Sequence, residues 1–147
     1  MNAEQFRGTI NTLVADWAAA YADADSGIPV GGVHVFYENG PEPDLEKEQA
    51  WLDVQLRFYS ANTIAVGRSD SRYSGMVSLA AYVRETTGTR VPDRILGGLT
   101  KLLRHRRIGD SAILYAPERT IPPPAFYGWY RSGLMIPFVL NEWASDL

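Results

Sequence analysis

With 147 residues, 46% of them hydrophobic, the chain has the size of one domain, residues 1 to 147, and enough apolar side chains for a substantial core. Its 14 basic and 17 acidic side chains leave a net charge of −3, so it has no general attraction for phosphates, and no specific nucleic-acid binding is expected. The absence of cysteine excludes disulfides, thiolate-bound zinc and a cysteine nucleophile, and no run approaches the roughly 20 apolar residues of a membrane span.

The amino terminus, Met1 to Arg7, carries Glu4 and no apolar run behind a basic cluster, so the default expectation is a soluble protein made in a cytoplasm. Phe6, Ile10, Leu13, Val14, Trp17 and Tyr21 recur at spacings of three and four, which predicts an amphipathic helix from about Ala3 to about Ala22. The acidic, glycine and proline residues from Asp23 to Gly32 stop it. Val33 to Tyr37 has the composition of a short strand, and Glu38 to Glu48 that of an acidic connector. Leu52, Val54, Leu56 and Phe58 alternate with polar residues or tyrosine, as in a strand with one buried face.

Gly67 to Ser74 is polar and predicts a turn or hairpin tip. Gly75 to Arg84 predicts a second long strand, with Val77, Leu79, Ala81 and Val83 on one side and Met76, Ala80 and Tyr82 on the other; apolar residues on both faces point to the middle of a sheet. After a turn at Thr86 to Thr89, Pro92 suits the first turn of a helix striped by Ile95, Leu96, Leu99, Leu102 and Leu103. Gly97 and Gly98 weaken that helix by about 1 kcal/mol each relative to alanine, and close packing of the helix on the sheet would be one reason to tolerate them. A strand at Ala112 to Tyr115, an irregular stretch through Pro122 to Pro124 and a last strand from about Tyr127 to Leu140 complete the chain, with Pro137 arguing for a sheet edge or a bulge. The order predicts an α+β fold: an antiparallel or mixed sheet with two main helices on one face.

Candidate chemistry is sparse. His34 and His105 lack metal-ligand spacing, no glycine-rich loop ends in Lys followed by Ser or Thr, and Gly31-Gly32 lacks the third glycine of a dinucleotide site; no cofactor, metal or catalytic residue is expected. The carboxylates at 38 to 48 lack the order of a calcium loop, leaving a solvated loop or a charged interface. Arg104-His-Arg-Arg107 suits a helix carboxyl terminus or a partner contact better than DNA. The three prolines fit a stiff spacer better than a ligand for an aromatic groove.

Charge is unevenly distributed. Glu38 to Asp53 carries six acidic residues and one lysine, a net −5, and Arg84 to Arg107 seven basic and two acidic residues, a net +5. On different surfaces these patches would form a head-to-tail subunit contact through Glu46 and Glu48 on one side and Arg104 and Arg106 on the other. The alternatives are that they pair within the chain or merely solvate separate faces.

The succession Tyr37-Glu-Asn39, an acidic proline-containing stretch, Trp51-Leu-Asp-Val-Gln-Leu, Gly67-Arg68, Arg72-Tyr-Ser-Gly75, Thr87-Gly-Thr89, a helix from Pro92, Gly128-Trp-Tyr-Arg and Leu134 to Glu142 resembles the tail terminator (tail completion) proteins of long-tailed phages. The resemblance runs from about Val33 onward, with the amino-terminal helix also where the family has one; Gly97-Gly98 and the three prolines depart from the usual pattern. It implies a non-enzymatic virion protein, made in the host cytoplasm, that forms a generally sixfold ring with copies of itself. Such a ring caps the head-proximal end of the tail tube, stops its growth and meets the head–tail connector. Residues outside the sheet framework that would touch these partners are Arg68, Arg72, Glu118, Arg119, Phe126 and Tyr127. A connector or other neck protein, and a small ligand-binding α+β domain, are the alternatives; an enclosed apolar pocket with converging polar groups would mark the last.

Overall fold

The computed structural model describes residues 1–63, 71–88, 90–120 and 128–143. Helix α1 spans Ala3–Ala20 and is started by a capping box: the Gln5 amide donates to the Asn2 side chain at 2.8 Å and the Asn2 amide to the Gln5 side chain at 2.9 Å. Phe6, Ile10, Val14 and Ala18 form its buried face, while Leu13, Trp17 and Tyr21 pack at the rim. The helix ends two residues before the expected Ala22 because Tyr21 turns extended and its carbonyl accepts from Gly31 at 3.2 Å.

Strands β1 (Val33–Tyr37), β2 (Ala50–Thr63) and β3 (Ser71–Arg84) precede helix α2 (Val91–Leu103). Strands β4 (Arg107–Ile108), β5 (Ala112–Leu114), β6 (Glu118–Thr120) and β7 (Trp129–Glu142) follow it. Among the described residues they form one sheet of order β1-β2-β3-β7-β5-β4, with β6 also paired to β7. β1 runs parallel to β2 and every other pair is antiparallel, so the sheet is mixed and the fold α+β, as expected. β3 is central, between β2 and β7.

Alternation sorts the side chains of the three long strands onto two faces. Leu52, Val54 and Leu56 of β2, Val77, Leu79, Ala81 and Val83 of β3, and Leu134, Ile136, Phe138 and Leu140 of β7 join the buried stripes of both helices in one core. Leu56, Val77 and Leu99, each on the apolar side of its predicted element, lie inside that core, and Trp17 of the α1 stripe packs against its margin.

One glycine and one proline within the strands have local structural reasons. Tyr59 is an extra residue in β2, since Phe58 pairs with Gly75 and Ser60 with Ser74. Opposite this bulge Gly75 carries no side chain because a Cβ would collide with the Arg57 carbonyl oxygen and lie 2.6 Å from Phe138 Cζ. Pro137 sits within an interior strand, which corrects the edge expectation. Its carbonyl accepts from the Tyr115 amide at 2.9 Å, so its ring nitrogen faces the same side, just beyond Leu114 where β5 ends and a missing donor is tolerated.

In the glycine pair of α2 the close approach is at Gly98, and it is to α1 and not to the sheet. A Cβ on Gly98 would lie 2.6 Å from Trp17 Cζ2 and 3.2 Å from its Nε1, so this glycine admits the α1 indole and the close contact is helix on helix. At Gly97 the nearest atom to such a Cβ is Arg119 Nη2, at 4.0 Å. Gly97→Ala is therefore expected to stabilise the protein by up to about 1 kcal/mol through helix propensity. Gly98→Ala is expected to cost about 1–3 kcal/mol, because overpacking against Trp17 outweighs the same propensity gain. Urea midpoints of the two variants check this, and movement in the same direction would show that Trp17 yields without cost.

Candidate functional site

The face of the sheet turned away from the helices holds an aromatic cluster built by register. Trp51 of β2 lies directly opposite Tyr82 of β3, and the rings stack at 3.9 Å with 4° between their planes. Phe36 and Trp129 meet Trp51 edge-on at 5.8 and 6.3 Å. Two guanidinium groups cover the outer rings, Arg84 at 4.8 Å from the Trp129 centroid and Arg131 at 5.7 Å from that of Tyr82.

The connector after β1 leans over this cluster. Asn39 takes the left-handed conformation (φ 61°), which asparagine tolerates, and the Gly40 amide closes a turn on the Tyr37 carbonyl at 3.1 Å. Arg84 anchors the far end, donating from Nε to the Glu48 carbonyl at 2.7 Å and from Nη2 to the Leu45 carbonyl. Between loop and sheet lies a pocket of about 610 Å³, walled by Phe36, Trp51, Tyr82 and Trp129, by Asp53, and by loop residues including Pro41, Glu42 and Leu45.

Asp53 is the half-buried carboxylate of that pocket. Removal from water raises its pKa above the ordinary value, against the attraction of Arg131 and a 3.3 Å hydrogen bond from Gln55 Nε2; Glu38 adds a smaller upward push. Because the folded-state pKa lies above the unfolded one, ionising Asp53 costs stability as pH rises from the unfolded value through the folded one. Asp53→Asn is thus expected to match the parent near about pH 3, where both forms are neutral, and to melt higher at about pH 7. Melting curves at the two values check this; a lower melting temperature at neutral pH would mean that the charge is held favourably.

The charged segments occupy opposite edges of the sheet. The acidic connector follows edge strand β1, the basic cluster runs into edge strand β4, and four strands lie between them. The cluster 104–107 and the connector therefore adjoin opposite edges, and no ion pair joins them within the chain among the described residues. Earlier members of the basic segment are used internally: Arg84 on the connector carbonyls, and Arg94 on Asp23 at 2.9 Å. Arg104, His105, Arg106 and Arg107 are exposed, and among the described residues Arg104, Arg106 and Arg107 form no ion pair. His105 has φ 51° in the tight turn that projects the two arginines beside it.

On the acidic edge the expectation for Glu48 is corrected. Its residue is only 8% exposed and it is bonded to His34 Nδ1 at 2.7 Å, so it faces its own chain rather than a neighbour. Glu38 is similarly taken by Arg7 and by the Leu56 amide. Glu42, Asp44 and Glu46 remain exposed.

Of the residues expected to touch partners, Arg72 is exposed in β3 and donates from Nε to Asn141 Oδ1 at 3.0 Å. Glu118 and Arg119 belong to β6 and not to an irregular loop, because β7 continues past the end of β5 and offers a free edge there. Glu118 is exposed; Arg119 is exposed too but reaches Asp93 Oδ1 and the Asp93 carbonyl, each at 3.3 Å. Arg68, Phe126 and Tyr127 lie outside the described residues. The aromatic cluster was missed in the sequence. Its available signal was Trp51, Tyr82 and Trp129 at the positions of three strands that alternation turns away from the core.

Among the described residues no three of His, Asp and Glu are grouped to hold a metal ion, and no helix is long and apolar enough to cross a membrane. No protein-family model and no curated protein sequence matches the chain. One solved structure, described by an identifier alone, aligns with a TM-score of 0.67 at 14% sequence identity, over 97% of this chain and 98% of its own. That likeness shows the fold alone.

Proposed function

We propose that this chain is a non-enzymatic ring subunit, the tail terminator of a long-tailed phage, which caps the head-proximal end of the tail tube, ends its polymerisation and offers a surface for head joining. The observation that carries the ring is the opposite charge of the two sheet edges. A subunit with unlike ends makes a heterologous contact, and such a contact closes into a ring when the rotation between neighbours divides a full turn. The phage assignment rests on the ordered sequence resemblance from Val33 to Glu142, and the α+β fold is compatible with it. Sixfold closure, the tube and connector partners, and a place in the virion are what that resemblance implies.

A ligand-binding domain is the second reading, and the aromatic pocket with Asp53 is the observation that favours it. Light scattering on the purified chain separates the two. A ring subunit is expected to populate a closed oligomer, six copies by the resemblance, with rim charges that make its assembly rate fall with salt. A monomer at every concentration, alone and with tail-tube protein, would remove the ring.

A further inference from the structure

We propose that the aromatic pocket is the socket for the basic turn of a second copy, with the Arg104 or Arg106 guanidinium entering between Trp51 and the connector and pairing with Asp53. This rests on the ring reading and names its contact. The pocket suits a planar cation. Its walls are aromatic faces and edges, on which guanidinium stacks with less desolvation cost than ammonium, and its polar groups include the carboxylates of Asp53 and Glu42. Neither carboxylate has a salt bridge among the described residues, although the chain's own Arg84 and Arg131 lie on the outer rings of the same cluster.

The turn supplies the complement. Three arginines without ion pairs flank His105 beside edge strand β4, whose partner β5 pairs with Val139 at the end of β7 away from Trp129, so one copy does not fill its own socket and each copy presents one socket and one plug. The partner is therefore another copy, and the contact is head to tail.

The test uses the full chain and sedimentation equilibrium. The socket variant is Glu42→Lys with Asp53→Asn, the plug variant Arg104→Glu with Arg106→Glu, and Glu46→Lys marks the rim outside the pocket. Circular dichroism melts establish that each is folded. Socket and plug variants alone are each expected to associate about tenfold more weakly than the parent or worse, and Glu46→Lys only about twofold more weakly. An equal mixture of socket and plug variants, which retains one intact plug and one intact socket between two chains, is expected to form 1:1 dimers and stop there. If the parent forms its oligomer and the socket variant associates equally well, or if Glu46→Lys weakens assembly more than the socket variant does, the pocket is not the socket while the ring stands. If mixing restores nothing, socket and plug do not meet. A parent that stays monomeric overturns the ring and the socket together.

Discussion

Phe138→Ala is expected to lower the unfolding free energy by about 3–5 kcal/mol, the range for emptying a large aromatic site in a core. Phe138 is 1% exposed at the middle of β7, with its ring centroid 4.6 Å from that of Phe6 on α1 and 5.3 Å from that of Phe58 on β2. It also fills the space left by Gly75 on β3. One side chain thus joins α1 to three strands, and the backbone around the bulge at Tyr59 limits collapse into the vacancy. Against a total stability of about 5–15 kcal/mol for a domain, such a loss leaves a variant near its folding threshold. Chemical denaturation of parent and variant measures it; a loss below about 1 kcal/mol would mean that the site relaxes and that Phe138 is not the junction described.

Leu99→Ala is expected to cost about 2–5 kcal/mol, and Leu102→Ala distinctly less. Both leucines lie on the apolar stripe of α2, but Leu99 is fully buried beneath the helix, whereas Leu102 is only partly buried at the edge of the core. Thermal melts of the two variants side by side provide the check. Equal losses would put the core-facing direction of α2 between the two positions, in conflict with the burial of Ile95, Leu96 and Leu103.

The helices, the long strands and their core faces were legible because each is amphipathic over many residues, and periodicity accumulates along an element. The central place of β3 could be read from Ala80 and Tyr82, which carry apolar surface onto its second face. Tertiary context decided the rest. Gly98 answers to Trp17, about eighty residues away in sequence, and Pro137 is tolerated because a neighbouring strand stops at Leu114. Three residues are too short a pattern to mark β6 as a strand. At the candidate site, the two charged segments were visible in the sequence, but their separation to opposite edges follows from strand order. Glu48 looked like its acidic neighbours until His34 was placed beside it. The aromatic pocket needs the register that sets Trp51 against Tyr82, which no local pattern encodes.

The proposed role in ending tail growth is tested by the tail-length distribution, in electron micrographs, of phage particles assembled without this protein. A terminator's absence is expected to leave tails of unregulated or excessive length and tails without heads, with normal lengths restored when the protein is supplied. Virions of normal tail length and normal head attachment in its absence would show that tail growth ends without it.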